Sequence, residues 1–368
     1  MMVDTAAYGR AKAGPRTRPV KRCPACGSTG ARFFFNAIDR LHGIAGEYTY
    51  RRCTECRTVF QDPRVLPQDL SLCYPNDYYT HIRRDGDQPV TPAIELTPRR
   101  LSGLRGRIRQ AIASAVQGVQ LPGVMGFLGR TLGLSRRLRE RAFYNYVIDE
   151  LIPRAPGRLR ALEVGCGSGY LMPALRRAGW EVEAVEWDPI AARTARELTG
   201  CQVWQGDFRT VDLAVEAYDL VVLHHVFEHL DEPVEALQRI RALLKPNGRA
   251  VLVYPNPDAL GAKIFGSVWF AWDAPRHLVL VTREAMASVS KRAGLSVSHV
   301  RTSGSQAAFI LAFSRAYHAG RAVNDSPDIC YLDLAAALLE RALVALGFKT
   351  GEELIFVLRQ AAPLQGNH

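Results

Sequence analysis

The heptapeptide HHVFEHL, residues 224–230, places three histidines and a glutamate directly after the apolar run 218–223. Because imidazole titrates near neutral pH, His225 and His229 are candidate general bases, and Glu228 is a candidate for orienting one of the two rings. Their spacing of i, i+3 and i+4 predicts one shared face of the following helix. His277, in the distant stretch APRH, is a further candidate for the same catalytic site.

Two other interpretations of this histidine–carboxylate group stay open. Together, His225, Glu228, His229 and His277 offer nitrogen and oxygen atoms of the kind that bind divalent metals. In a structural interpretation, Glu228 favours the amino-terminal end of the next helix, and His277 is an ordinary loop histidine. Acid–base chemistry is the interpretation that we favour.

A glycine-rich stretch, EVGCGSG, follows the first predicted strand of the central region. It supplies Glu163 and then Gly165, Gly167 and Gly169, and glycines at alternate positions let backbone amides approach a ligand closely. The spacing is GxGxG, whereas dinucleotide-binding loops have GxGxxG, so the pattern disfavours a hydride-transfer enzyme.

Two further strand ends complete a candidate adenosine pocket. Glu186 ends the second strand, where a carboxylate can accept both ribose hydroxyl protons, and Trp187 beside it offers a flat face for adenine. Asp207, in GDF at the end of the third strand, is placed to accept a proton from an exocyclic amine. A glycine loop and two strand-end carboxylates in this order predict a cofactor that contains adenosine.

Two CxxC pairs lie nearer the amino terminus, Cys23 with Cys26 and Cys53 with Cys56. Four thiolates in two such pairs are typical of tetrahedral zinc, and four protein ligands leave no open position for chemistry. We therefore predict a structural zinc ribbon in which FFFNAID and YTYRR form short strands. The other cysteines are expected to be reduced, buried and without metal (Cys73, Cys166, Cys201, Cys330).

Amphipathic helices and short apolar strands alternate from about residue 138, which predicts an α/β fold with a mostly parallel, doubly wound sheet. Such sheets bind ligands at the carboxyl ends of their strands, where the candidate residues lie. The predicted segments are a flexible basic tail (1–20), a zinc ribbon (21–62), a linker with lid or interfacial helices (63–135), a cofactor-binding core (136–303), and a helical insertion with the last sheet strand (304–368).

Positive charge is concentrated in residues 1–160, which contain 27 Lys and Arg against 13 Asp and Glu; the remainder contains 20 against 23. Such a region attracts nucleic acid, anionic lipid or phosphorylated molecules, or is a solvated arginine-rich face. The polar start lacks a secretory signal, so a cytoplasmic protein is expected. The uncharged run 111–129 is too weakly apolar for a transmembrane helix, which leaves an interfacial helix or a lid.

The motifs LEVGCGSG, VEWDP, GDF, FEHLDEP and LLKPNGRAVLVYPN resemble those of class I S-adenosylmethionine-dependent methyltransferases over residues 138–300. This resemblance implies a Rossmann-like core with S-adenosylmethionine as the cofactor. It places Glu163 and the glycines near the methionyl part, Glu186 on the ribose, and Asp207 with Phe208 around adenine. His224 is also predicted to contact the cofactor.

The cysteine-containing amino-terminal half and the stretch DAPRHLVLVTREAM are similar to zinc-ribbon methyltransferases of cell-surface polysaccharide and deoxysugar pathways. This similarity implies methylation, on oxygen or carbon, of a nucleotide- or lipid-linked sugar, and a lipid-linked acceptor is compatible with a peripheral position at the inner membrane face. The alternatives are an RNA methyltransferase with a basic ribbon, a quinone O-methyltransferase, and an inactive binding protein. The metal interpretation resembles a carboxylate–histidine set of some quinone and small-RNA methyltransferases, but His225 stands where those families place a glutamate.

The stretch YPNDYYTH, which follows the ribbon, supplies aromatic side chains near the predicted boundary with the core. Tyr78, Tyr79 and His81 are candidates for lining the acceptor site. Packing of the linker onto the core is the alternative role.

Overall fold

The computed structural model describes residues 14–75, 158–321 and 327–361, with Val124, Phe127 and Thr131 as single positions between the first two ranges. The chain divides into two compact units, a larger one of residues 1–78 and 212–368 and a smaller one of residues 79–211. These limits are a different kind of division from the predicted segments and do not test them, so the predicted segments stay predictions. Tyr78, Tyr79, His81 and the run 111–129, apart from Val124 and Phe127, lie outside the described residues.

The smaller unit contains three parallel strands, β6 (Leu159–Val164), β7 (Trp180–Glu186) and β8 (Gln202–Gln205), with β7 in the middle. Helix α1 (Met172–Arg177) follows β6, and α2 (Pro189–Thr199) follows β7. Helix α2 begins sharply because the Asp188 side chain accepts hydrogen bonds from the backbone amides of Ile190 and Ala191. It ends at Gly200, whose φ of 65° suits glycine.

The sheet of the larger unit has the order β12-β13-β10-β9, formed by β9 (Tyr218–His224), β10 (Leu244–Pro255), β12 (Leu295–Ser303) and β13 (Glu353–Gln360). Strands β9 and β10 are parallel, while β13 runs antiparallel to both of its neighbours. Among the described residues of this unit, five α-helices accompany these strands: α3 (Pro233–Leu243), α4 (Leu260–Phe265), α5 (Arg283–Arg292), α6 (Ala307–His318) and α7 (Tyr331–Ala345). The predicted last strand, ELIFVLRQ, is confirmed as β13.

The amino-terminal ribbon is built of β2 (Ala31–Ala37), β3 (Tyr48–Cys53) and β4 (Val59–Gln61), which are antiparallel. A distant strand, β11 (Val279–Leu280), pairs with β4 and completes a four-stranded sheet. Strands β1 (Thr17–Arg18) and β5 (Arg64–Val65) form a separate antiparallel pair, and a 3-10 helix follows at Pro67–Cys73. The strands predicted in FFFNAID and YTYRR are confirmed.

Parallel strands alternate with helices in both units, as the sequence predicts for an α/β protein. The β9 residues Leu220, Val221, Val222 and Leu223 are all fully buried, which explains why this strand reads as a continuous apolar run. Within the described residues, the structure has no helix with the length and apolar character needed to cross a membrane.

Candidate active site

The glycine loop of the smaller unit requires glycine for two reasons. Gly165, Gly167 and Gly169 all have positive φ, between 53° and 89°. A Cβ atom on Gly169 would lie 2.8 Å from the Thr199 side chain and 3.2 Å from Ala195, so any larger residue would push the loop away from α2.

Two buried carboxyl groups support this loop. The Glu186 carboxylate accepts hydrogen bonds from the Gly167 amide at 2.7 Å and from the Asp188 amide at 3.0 Å. Glu163 is 4% exposed, and among the described residues its Oε2 has no hydrogen-bond partner. Burial and the neighbouring Glu186 raise the pKa of Glu163 well above its usual range. A cationic ligand group would pair with the orphaned oxygen and favour the ionised form of Glu163.

The third strand end holds Asp207 in an ion pair. Its carboxylate accepts hydrogen bonds from the Arg209 side chain at 2.6 to 3.0 Å. Burial opposes ionisation, but the hydrogen bonds and charge of Arg209 lower the pKa of Asp207. Phe208 is buried and Trp187 is 41% exposed. Asp207 is therefore ionised, and a ligand amine would share it with Arg209.

In the larger unit, His225 lies immediately after β9 with a left-handed φ of 55°, unusual for a residue with a side chain. Its Nε2 is 3.0 Å from Glu353 Oε1, and its Nδ1 is 3.4 Å from Glu228 Oε1. Burial alone would lower the pKa of His225, but the two nearby carboxylates of Glu228 and Glu353 raise it to about 10. At neutral pH His225 is an imidazolium with each nitrogen next to a carboxylate. Burial lowers the pKa of the adjacent His224 to about 3.

The predicted helix through HHVFEHL is wrong. Only Phe227–His229 forms a short 3-10 turn, and α3 begins at Pro233. Proline suits the first turn of a helix, where its missing N–H costs nothing, so the helix starts there. His225 lies outside both elements, and Glu228 is not at the amino terminus of α3.

His229 and His277 are neutral imidazoles in the same tautomer. His229 Nδ1 is 3.0 Å from the Arg276 carbonyl oxygen and 2.9 Å from the Tyr74 hydroxyl, and His277 Nδ1 is 2.8 Å from the Ala271 carbonyl oxygen. Because a carbonyl oxygen only accepts, Nδ1 carries the proton in both rings and Nε2 keeps its lone pair. Burial lowers the pKa of each ring to about 4.

Glu228 lies between these histidines and is fully buried. In the described ranges neither of its oxygens has a hydrogen-bond partner, although Oε1 is 3.4 Å from His225 Nδ1 and 3.7 Å from His277 Nε2. Glu228, His229 and His277 each offer a ligand atom within 4.8 Å of the others. The group therefore fits either acid–base chemistry or a divalent cation, and His225 is outside the cation set because both of its nitrogens face carboxylates.

Three residues of this site were missed by the sequence reasoning: Tyr74, Ser305 and Glu353. Glu353 contacts His225 through Oε1 and accepts a hydrogen bond from the Ser305 hydroxyl through Oε2 at 3.0 Å. A glutamate at the start of the apolar stretch ELIFVLRQ was a usable signal, since a buried charge needs a partner. Tyr74 opens the stretch YPNDYYTH, from which the sequence reasoning selected other residues.

A buried arginine fixes the loop that carries His277. The Arg276 guanidinium is fully buried and binds Asp39 at 2.9 and 3.0 Å, Asp273 at 2.6 and 3.0 Å, and the Cys73 carbonyl at 3.2 Å. The Tyr50 hydroxyl donates to the His277 carbonyl at 2.9 Å. Ribbon residues thus position the backbone that sets the tautomer of His229.

Replacing Arg276 by methionine should lower the free energy of unfolding by about 3–5 kcal/mol, because two buried carboxylates lose their counter-charge. Urea denaturation followed by circular dichroism measures this change. Arg16→Met is the matched control, since Arg16 also pairs with an aspartate but its side chain is 69% exposed; it should cost about 1 kcal/mol or less. Equal losses in the two variants would contradict the structural role of Arg276.

The four ribbon cysteines meet at one point. Cys23 and Cys56 have their sulfur atoms 3.6 Å apart, as do Cys26 and Cys53, and all four lie within 4.8 Å of one another. Zinc–sulfur bonds of about 2.3 Å in a tetrahedron place the sulfurs about 3.8 Å apart. The cluster therefore fits a structural zinc ion.

Comparison with known proteins adds a family match. Residues 136–300 match a family described as a methyltransferase domain. The chain is 29% identical over 157 residues to a ubiquinone biosynthesis O-methyltransferase of Xanthomonas axonopodis, covering 39% of this chain and 66% of the relative. It is 30% identical over 148 residues to the enzyme of the same name from Cereibacter sphaeroides, covering 37% and 60%.

The chain thus spans between about half and two thirds of the length of the curated relatives that it matches. A solved TehB-like methyltransferase from Corynebacterium glutamicum is 20% identical with a TM-score of 0.37, covering 59% of this chain and 86% of that one. The family match together with the strand–helix alternation confirms the predicted Rossmann-like α/β fold of class I methyltransferases.

Proposed function

We propose that this chain transfers a methyl group from S-adenosylmethionine to a hydroxyl oxygen of a small-molecule acceptor. The observation that carries the proposal is His229, a neutral imidazole with its Nδ1 proton committed to a carbonyl, next to the buried carboxylate Glu228. The methyltransferase-domain match supports the methyl-transfer part.

The smaller unit supplies the groups for the cofactor. Bound S-adenosylmethionine would supply an electrophilic methyl on a positively charged sulfonium. The orphaned carboxyl group of Glu163 fits a ligand with a cationic group, Glu186 is proposed for the ribose hydroxyls, and the glycine loop has no side chains at three positions that would keep a ligand away. Asp207, Phe208 and Trp187 are proposed for the adenine end, and His224 remains a proposed contact.

In the larger unit, His229 Nε2 would take the acceptor proton as the hydroxyl oxygen attacks the methyl carbon. The imidazolium that forms would be stabilised by Glu228, which is buried next to it. His225 has a different role in this proposal: already protonated, it holds Glu228 and Glu353 in place by its two nitrogens. His277 Nε2, which is 3.7 Å from Glu228 Oε1, is proposed as a second proton-accepting nitrogen of the site.

The favoured acceptor is a nucleotide- or lipid-linked sugar, as the similarity to zinc-ribbon methyltransferases of polysaccharide and deoxysugar pathways implies. A phenolic precursor of a quinone is the second candidate, since the relatives quoted above are named ubiquinone biosynthesis O-methyltransferases. A phenol is also the easier acid for a base with a pKa of about 4.

RNA is not favoured as the acceptor, because several arginines of the ribbon region are already paired. Their carboxylate partners lie within the same unit: Arg16 with Asp69, Arg51 with Asp62, Arg52 with Asp258 and Arg64 with Glu232. Arginines in such pairs contribute less to a phosphate-binding surface.

The test is to incubate the protein with methyl-labelled S-adenosylmethionine and cell extract, and to separate RNA, lipid-extractable and small water-soluble fractions. Label on a sugar, in the lipid-extractable or the sugar-nucleotide fraction, supports the sugar acceptor, and label on a lipid-extractable phenol supports the quinone precursor. Ribonuclease-sensitive label overturns the small-molecule proposal. No label above that of a Glu228→Gln control would indicate a binding protein without methyl-transfer activity.

A further inference from the structure

Helix α7 has an unusual distribution of side chains, with its acids buried and its large apolar residues exposed. Asp333 is 4% exposed and Glu340 is fully buried. The exposed residues form what we call the α7 apolar face, which continues past the end of the helix (Tyr331, Leu332, Leu334, Leu338, Leu339, Leu346, Phe348). Four of these residues, Tyr331, Leu332, Leu338 and Leu346, are at least 60% exposed, so the described part of the chain leaves the face uncovered.

The buried acids fix this orientation. Asp333 accepts hydrogen bonds from the Arg315 side chain at 3.1 and 2.8 Å and from the Cys330 amide at 2.9 Å. Glu340 accepts one from the Glu352 amide at 2.9 Å, and burial raises the pKa of Glu340 well above its usual range. Rotating the helix to bury its leucines would break these contacts. The apolar face therefore stays outward.

Charge identifies what covers this face. Within residues 331–349 the exposed charged side chains are Arg341 and Lys349, and both acids point inward. An apolar face with cations beside it matches an anionic membrane surface, where leucines enter the acyl boundary and cations meet headgroups. The same face of a second copy would offer these cations no opposite charge, because both of its acids are buried.

We propose that the α7 apolar face lies in the interfacial layer of a membrane that contains anionic lipid. At about 1.5 Å per residue, the 15-residue helix would extend roughly 22 Å along that surface. This inference concerns lipid binding and does not depend on methyl transfer.

Membrane contact at α7 would act close to the candidate catalytic residues of the same unit. Arg341 donates to the carbonyl oxygens of Gly304 and Ser305 at 3.1 Å, and the Ser305 hydroxyl donates to Glu353. Glu353 in turn contacts His225. A lipid-bound α7 would therefore hold the 304–305 turn, and through it the carboxylate of Glu353, at the membrane surface.

The test is co-sedimentation of the full chain with vesicles of phosphatidylcholine alone or mixed with phosphatidylglycerol. We expect binding to the mixed vesicles, and at least about a tenfold weaker association constant for Leu338→Asn/Leu339→Asn, because two leucines leave the acyl boundary. Lys349→Gln should weaken binding to mixed vesicles by roughly fivefold. Leu198→Asn is the matched control, an exposed leucine on helix α2 of the smaller unit, and should bind as the wild type does.

Three results would overturn the proposal. The first is no binding to either vesicle, and the second is equal binding by the double leucine variant and the wild type. The third is a concentration-dependent dimer, seen by sedimentation velocity without vesicles, in a protein that does not bind vesicles. If the double leucine variant abolishes that dimer, the face belongs to a contact with a second copy. Circular dichroism of each variant checks that the fold is retained.

Discussion

Replacing His229 by alanine is expected to lower the initial rate of methyl incorporation by about 10²–10⁴-fold while leaving S-adenosylmethionine affinity nearly unchanged. The reason is that the lone pair on His229 Nε2 is proposed to take the proton from the hydroxyl group of the methyl acceptor. Labelled-methyl incorporation measures the rate, and calorimetric titration measures cofactor affinity. His299→Ala, which removes an exposed histidine of β12, should keep full activity.

The pH dependence of the rate distinguishes His229 from His225 as the base. A base acts in its unprotonated form, so with a pKa of about 4 for His229 the rate should be flat through the neutral range and fall only as pH drops towards 4. With His225 as the base, whose pKa is about 10, the rate should rise about tenfold per pH unit through the neutral range. A steadily rising profile, or a fully active His229→Ala variant, would remove His229 from the mechanism.

Loss of the four-cysteine cluster, which we propose binds zinc, is expected to unfold much more than the ribbon. Purified protein should contain one zinc ion per chain, and Cys53→Ser should lose it and become insoluble or melt many degrees lower. Structural zinc contributes up to roughly 10–16 kcal/mol in isolated zinc-finger peptides. The effect extends beyond the ribbon because the Thr282 hydroxyl donates to the Cys56 carbonyl at 2.8 Å, and β11 pairs with β4.

Metal analysis by mass spectrometry and a thermal melt of the same sample check this expectation. Cys201→Ser is the matched control, because Cys201 lies outside the four-cysteine cluster, and it should retain both zinc and the wild-type melting temperature. Wild-type protein without zinc after purification free of chelators would show that the cluster is not a zinc site. An unchanged melt for Cys53→Ser would show that the zinc does not support the fold.

The features predicted correctly from sequence depend on nearby residues. Strand β9 shows as a continuous apolar run and β7 as apolar residues that largely alternate with glutamates, and the two CxxC pairs are each complete within four residues. The last strand, β13, was found for the same reason. In these cases the physical cause, burial of a strand or chelation by neighbouring thiols, acts within a few residues of the chain.

The features that were missed or wrong depend on distant contacts. Glu353 reaches His225 across 128 residues of sequence, and no local pattern links the two. The spacing of His225, Glu228 and His229 suggested a helix, but His225 adopts a left-handed conformation and its amide donates to the Val253 carbonyl of β10. The tertiary hydrogen bonds outweigh the helical periodicity there. The same holds for Tyr74, which meets His229 across 155 residues.

The burial of Arg276 between Asp39 and Asp273 makes the ribbon and the family-matched region depend on each other. The region with a recognisable family match begins at residue 136, yet Asp39, Tyr50 and Tyr74 hold the backbone and the tautomer of residues far beyond it. A truncated protein starting at residue 136 would not be a smaller enzyme but one whose buried Arg276 keeps Asp273 and loses Asp39 and the Cys73 carbonyl as partners. The ribbon is consequently not an accessory that recombination can exchange by itself: a substitute ribbon would have to bring its own partner for that arginine.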